Sequence, residues 1–311
     1  MVAGAAAGAG AAYCVVTFSR QDPVAEALER LPRRVILVRH GESEGNADHT
    51  LYRTKADNSI ELTEKGSEEA RKAGERIKGV LGDDKVHIFV SPFVRTLQTA
   101  RNIRLAFEDQ ILQTHVTPQI REQEFGNLQG DDFRLFRKEQ QLVGRLFYRF
   151  PTGESGCDVY DRVKVWWDSL LKINERPKSQ QADSIVVVTH GLTMRLILMQ
   201  LYGWSADTFH AVWNAGNCDM YVLRKDLNRA GFSPYVLCRE EGDFPRSSAT
   251  VVVEFSTGEQ KPCLLSEYLS IPQPRTLQQG CVLQMLEKQH GIDPNTVTSI
   301  DFFGGKVAKF R

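Results

Sequence analysis

An α/β fold built on a mainly parallel sheet follows from three observations in the sequence. Short runs of branched apolar residues at 35–38, 86–90 and 184–189 have strand length and read as buried on both faces. Segments with helical spacing of apolar residues separate these runs, and that alternation implies right-handed βαβ units. Two of the runs stop at the same pair, His40-Gly41 and His190-Gly191. Ligands of open α/β sheets sit beyond the carboxyl ends of the strands, so a site belongs where those runs stop.

The elements follow in order. Residues 1–12 are nearly all Ala and Gly and read as a disordered tail. Residues 22–31 suit a short helix leading to Pro32, so a flexible extension is expected over 1–31. Val35-Ile36-Leu37-Val38 forms the opening strand and ends at Arg39-His40-Gly41, where the glycine lets the backbone turn and approach a ligand. A polar loop over 47–61 precedes a helix capped by Thr63, with Ala70, Ala73, Ile77 and Val80 on one face. Gly82 ends it. The strand at 86–90 stops at Ser91-Pro92, a helix follows to about Phe107, and a third strand is expected at 114–117. Residues 119–130 read as a loop rich in carboxylates and 132–149 as a helix rich in Arg and Lys. Residues 151–156 interrupt, a helix spans 158–173, and the most apolar strand, 184–189, leads through His190 into a helix over 192–201. A strand at 220–223 closes the sheet. After about Phe244 the pattern changes, so 32–244 is expected to carry the chemistry and 245–311 to be an appendage of unassigned role.

Composition narrows the function. The 311 residues carry 39 basic and 39 acidic side chains, and zero formal charge argues against a nucleic-acid or anionic-membrane partner. Six cysteines without a CxxC pair fit a reducing compartment, and a cytoplasmic location is expected. The lack of acidic residues before Arg20 leaves an organellar transit peptide as the alternative. No apolar run approaches the roughly 20 residues that span a bilayer. No His/Cys/Asp cluster has ligand spacing, so neither a metal nor another cofactor is expected.

Three strand ends carry polar residues: Arg39-His40, Ser91 leading to Arg95, and His190. Strands of one parallel sheet end on the same edge. Arg95 falls at a helix N-terminus, where backbone amides already favour an anion. Two arginines, two histidines and Asn46 are therefore expected to converge on one tetrahedral dianion, for which the guanidinium fork is well matched. Cys14–Arg20 and Cys218–Arg224 each have the C-x5-R spacing of cysteine-dependent phosphatases. Neither has the small residues that such a loop needs to cradle phosphate, and the second reads as a strand.

Arg39-His40-Gly41, Ser91-Pro92-x-x-Arg95-x-x-Gln98-Thr99-Ala100, Glu122 within Ile120–Gly126, and His190-Gly191 together resemble the histidine phosphatase superfamily, which includes the cofactor-dependent phosphoglycerate mutases. The resemblance covers about 34–224. It implies a three-layer α/β/α sandwich and metal-free phosphoryl transfer through a phosphohistidine. It makes His40 the nucleophile, with Arg39, Asn46, Arg95 and His190 clamping the phosphoryl group. Glu122 becomes the general acid and base, with Glu124 its rival and Glu42 and Glu44 more distant candidates.

Mutases of this superfamily carry a longer insertion before the second histidine and a tryptophan in the turn after the first motif. Here the insertion is short and residues 51–60 hold no tryptophan. The blocks at 121–127 and 147–155 resemble plant and fungal members named for mutase likeness. Hydrolysis of a phosphorylated small molecule or phosphoprotein is therefore the expected reaction. Mutase or bisphosphatase chemistry is the alternative, because Arg134, Arg137, Lys138, Arg145 and Arg149 offer charge for a second anionic group. A phosphate sensor without catalysis is a third reading, disfavoured because a pure binder needs neither nucleophile nor acid.

Overall fold

A computed structural model describes residues 28–126, 142–175, 180–212, 214–227, 234–238, 241–243, 246–257, 259–268, 291–302 and 306–309, with isolated positions between them. Its first sheet contains β1 (Arg34–Arg39), β2 (Val86–Val90), β3 (Ile111–Val116), β4 (Ser184–Thr189), β5 (Met220–Lys225) and β6 (Tyr235–Leu237), in the order β3-β2-β4-β1-β5-β6. The four strands from β3 to β1 are parallel. β5 runs antiparallel to β1 and β6 antiparallel to β5, and β6 rather than β5 forms that edge. Sequence reading passes over β6 because three residues are too short for a periodic signal. It starts β3 three residues late because this edge strand leaves most of its side chains at least partly exposed, which blurs the apolar pattern.

The helices are α1 (Glu44–Ala47), α2 (Glu64–Leu81), α3 (Val94–Arg104), α4 (Gly156–Leu170), α5 (Gly191–Tyr202) and α6 (Ala206–Ala211). Thr63 caps α2 by accepting from the Gly66 amide, and Gly82 ends it at φ 57°. Its buried face ends on Leu81, with Val80 only partly covered. The central strands show why the sheet is sandwiched. Val35 and Leu37 of β1, with Ile185 and Val187 of β4, enter a core shared with α4 and α5. The alternate residues Ile36, Val38, Val186 and Val188 enter a second core shared with α2 and α3. Alternation across a strand directs one side chain to each face, so an unbroken apolar run supplies both layers. Each such side chain contributes roughly 1.5–3 kcal/mol on burial.

Register carries the strand ends to one level. Arg39 pairs with Thr189, and Val90 with Val188. The ladder runs one residue further on each side, His40 N donating to Thr189 O and Ser91 N to Val188 O, both at 3.0 Å. His40 and Ser91 thereby flank His190.

A second sheet, β7 (Arg246–Phe255), β8 (Gln260–Tyr268), β9 (Val297–Phe302) and β10 (Lys306–Lys309), is antiparallel in the order β10-β9-β7-β8. It holds none of the site residues named from the sequence. Residues 1–27 and most of 277–289 lie outside the described residues, as do 132–135, 137–138 and 141 of the helix expected at 132–149. That helix does not run to 149, because helical backbone stops before Gly144 at φ 89° and 144–149 are turn and irregular chain. Among the described residues no helix is long and apolar enough to cross a membrane.

Candidate active site

The two histidines that follow β1 and β4 stand with ring centroids 5.3 Å apart. His40 is 3% exposed, and its Nδ1 lies 2.8 Å from Gly41 O. A carbonyl only accepts, so Nδ1 carries the proton and Nε2 keeps its lone pair. Burial holds the pKa of His40 well below the usual imidazole value, and Arg95 and Arg39 lower it further. The ring is neutral and nucleophilic in the ordinary pH range.

Gly41 answers a packing demand. A Cβ there would collide with Gly66 O, and one at Gly66 with Glu42 O. The chain leaving β1 therefore lies directly on the first turn of α2, and Gly41 N donates to Thr99 Oγ1 at 3.1 Å. The close approach that the structure shows at Gly41 is to this helix, and Gly41 is not among the positive-φ glycines. Asn46 closes the capping box of α1, its Oδ1 accepting from Ser43 N at 3.2 Å and from Asn217 Nδ2 at 3.1 Å. With the carbonyl committed, its amide NH2 is the end suited to an anion. Asn217 Nδ2 also donates to His40 O at 3.2 Å.

Arg39 Nη1 donates to Ala215 O at 2.6 Å, while its buried Nε has no hydrogen-bond partner among the described residues. Arg95, 3% exposed, directs Nη1 to both the carboxylate and the backbone carbonyl of Asp57, at 2.8 and 2.6 Å. His190 is fully buried, with Nε2 2.8 Å from Ser91 Oγ and the edge of Phe93 against its ring. Its Nδ1 likewise has no hydrogen-bond partner among the described residues. Where the serine hydroxyl donates to Nε2, the ring proton is on Nδ1, which lies 3.7 Å from Glu122 Oε2. Burial first, then Arg95 and His40, keep His190 well below its ordinary pKa. Orphaned buried donors are rare in folded proteins. Two of them, Arg39 Nε and His190 Nδ1, belong to residues at this edge of the sheet, and an anion is the kind of ligand that could satisfy such donors.

The acid loop resolves what spacing cannot. An extended loop would give Glu122 and Glu124 a common face. Arg162 of α4 instead donates to the carbonyls of Gln119, Arg121 and Glu122 and to both carboxylate oxygens of Glu154. Successive carbonyls of a strand point to opposite sides, so the loop is curled around one guanidinium. Glu154 fastens it again, its Oε2 accepting from Glu124 N and its Oε1 from Arg121 Nη2. Glu122 is thereby turned inward with 16% of its side chain exposed, and Glu124 is exposed. Burial raises the Glu122 pKa, Arg95 and Arg39 oppose the rise, and Asp57 supports it.

The other carboxylate candidates are engaged elsewhere. Glu42 binds Lys65 Nζ at 2.5 Å and Thr63 Oγ1 at 3.0 Å, and Glu44 binds Lys55 Nζ at 2.5 Å. These bonds lower both pKa values, the reverse of what a proton donor needs. Cys218 is buried with its thiol pushed up to about 12, and Arg224 is on β5 beside Glu241, so that C-x5-R spacing forms no phosphate loop. Cys14, Arg20, Arg134, Arg137 and Lys138 lie outside the described residues. Arg149 pairs with Asp158 at 2.6 Å. Sequence reasoning passed over Asp57, Arg162, Glu154 and Asn217. A polar residue in a loop carries no local mark of its partner.

Residues 35–233 match the family model of the histidine phosphatase superfamily (branch 1). A phosphoglycerate mutase-like protein of Arabidopsis thaliana, AT74H, is 38% identical over 226 residues, covering 68% of this chain and 80% of its own. The broad-range acid phosphatase DET1 of Saccharomyces cerevisiae is 26% identical, covering 64% and 87% respectively. Among solved structures, mycobacterial hydrolase 1 superposes with a TM-score of 0.53 at 20% identity, covering 66% of this chain and 97% of that one. The last likeness shows a shared fold.

Proposed function

Because this chain belongs to branch 1 of the histidine phosphatase superfamily, we propose that it is a metal-independent phosphomonoesterase acting through a phosphohistidine on His40. The observation that carries the reading is the tautomer of His40, whose Nδ1–H is spent on Gly41 O so that Nε2 presents a lone pair. Arg39, Asn46, Arg95 and His190 hold the equatorial oxygens. Nε2 attacks phosphorus as the ester P–O bond breaks, and the Glu122 carboxyl gives its proton to the departing oxygen. Glu122, now a carboxylate, takes a proton from water as that water attacks the phosphohistidine, releasing phosphate and restoring both residues. Positioned charge and in-line geometry are most of what such a transfer needs.

The substrate class is a phosphorylated small molecule or phosphoprotein. The short insertion and the absence of tryptophan at 51–60 support hydrolysis over mutase chemistry. Purified protein incubated with a panel of phosphomonoesters and phosphoglycerates tests this. Inorganic phosphate release is expected. Relocation of phosphate within the phosphoglycerate without release would establish a mutase instead.

The pKa shifts set the sign of the pH dependence. His40 must be neutral, which holds above a pKa depressed well below 6.5. Glu122 must be protonated, which holds below a carboxyl pKa raised from 4.5. The kcat/KM of an alkyl phosphate is expected to peak on the acid side of neutrality and to fall as Glu122 ionises. A pH–rate profile at constant ionic strength checks this. An optimum above pH 8 would contradict the acid assignment.

A further inference from the structure

Loop 47–61 contributes a group that the phosphatase reading has not used. Asp57 opens a short 3₁₀ turn, Asp57–Ser59, beside the fully buried Ile60. Two residues beyond Ile60, Leu62 N donates to Gln98 Oε1 at 2.7 Å. Gln98 lies three residues after Arg95 on α3, on the same face. The loop is thus tied to that helix face at two points, Arg95 and Gln98. Both Nη1 hydrogens of Arg95 are spent on Asp57. A guanidinium has five donors, so Nε and Nη2 remain as the fork for an anion. A buried cation with no fixed partner would be costly and free to change rotamer.

We propose that Asp57 is a positioning residue for phosphoryl transfer: it holds the Arg95 fork in place before substrate arrives, and as the carboxylate paired with that guanidinium it offsets part of the positive charge that Arg95 presents to the site. The proposal rests on the phosphatase reading and deepens it. The charged and titratable groups around Glu122 are Arg39 from β1, Arg95 from α3, Arg162 from α4, which donates to its backbone carbonyl, His190 after β4, Tyr52 and Asp57 from the loop, and Arg195 from α5. Arg39 and Arg95 both pull the proton off Glu122, and an acid ionised by its own phosphate clamp could not protonate a leaving oxygen. Asp57 offsets part of that pull. One carboxylate therefore reconciles two conflicting demands, strong cations for the phosphate and a protonated acid beside them.

Asp57→Asn separates the two roles, because the amide oxygen still accepts from Arg95 while the charge is gone. The alkaline limb of kcat/KM for an alkyl phosphate is expected to move down by about half a pH unit or more. An activated aryl phosphate, which needs no acid, should not show that movement. Asp57→Glu, which retains the charge, should leave the limb in place. Asp57→Ala loses both roles and should cost both substrates on the order of 10–10²-fold in kcat. Calorimetric titration of the wild-type and Asp57→Asn proteins with inorganic phosphate provides a readout without turnover, and binding to the variant is expected to be tighter. An unchanged pH limb, or an even loss at all pH values with both esters, would overturn the proposal, as would unchanged phosphate binding. If the wild-type protein released no phosphate from any ester, the phosphatase reading would fail instead, and the calorimetric comparison would still judge Asp57.

Discussion

Replacing His40 by alanine is expected to remove turnover almost entirely, with a loss on the order of 10⁴–10⁶-fold in kcat, the range seen when a covalent nucleophile is deleted. Wild-type protein quenched in base after exposure to a ³²P-labelled ester should carry acid-labile, base-stable label. That label should map to the peptide containing His40 and vanish in His40→Ala. No other group in the site is equipped to replace it. The ring nitrogens of His190 are directed elsewhere, Nε2 to Ser91 and Nδ1 toward Glu122. Cys218 is held as a thiol by burial, with its pKa pushed up to about 12. The phosphate clamp itself, Arg39, Arg95 and His190, stays in place in the variant, so binding of inorganic phosphate should persist while turnover is lost. Label retained on Cys218 would refute the phosphohistidine mechanism, and full activity in His40→Ala would move the nucleophile elsewhere.

Glu122→Gln is expected to cost alkyl phosphates about 10²–10⁴-fold and activated aryl phosphates much less. An alkoxide cannot depart unprotonated, whereas a nitrophenolate can. Glutamine keeps the shape of the side chain and removes the proton it donates. Glu124→Gln should affect neither class in that way, because its side chain is exposed and only its backbone is pinned, to Glu154. Steady-state rates with paired alkyl and aryl esters decide between them. The reverse pattern would move the acid to Glu124. No discrimination by either variant would require the proton to come from another group, with His190 the next to test.

Arg162 shows why that pair could not be separated without coordinates. It sits 40 residues from Glu122, on a helix whose sequence reads only as amphipathic, yet it gathers three loop carbonyls and the Glu154 carboxylate. Gly41 makes a related point. Its smallness was legible, but the reason lies in α2, where the partner residue is Gly66. By contrast, both histidines and the first arginine were readable because their signal is local. A strand buried on both faces must be apolar throughout, so the polar residue that ends it marks the carboxyl edge of the sheet.

The sequence by itself determined the parallel centre of the sheet, the edge at which its strands end, and that Arg39, His40 and His190 stand at those strand ends with Arg95 at a helix start. Those are consequences of periodicity and of residue type at a strand or helix end, and both are written in consecutive residues. Only the tertiary structure decided which carboxylate of the loop is turned toward His190, which nitrogen of His40 keeps its lone pair, and that Asp57 grips Arg95 from 38 residues away. Each of these is a contact through space between segments distant along the chain. Hydrogen-bond partners and burial are fixed by packing against other elements, and a single side chain in a loop bears no trace of which element will cover it.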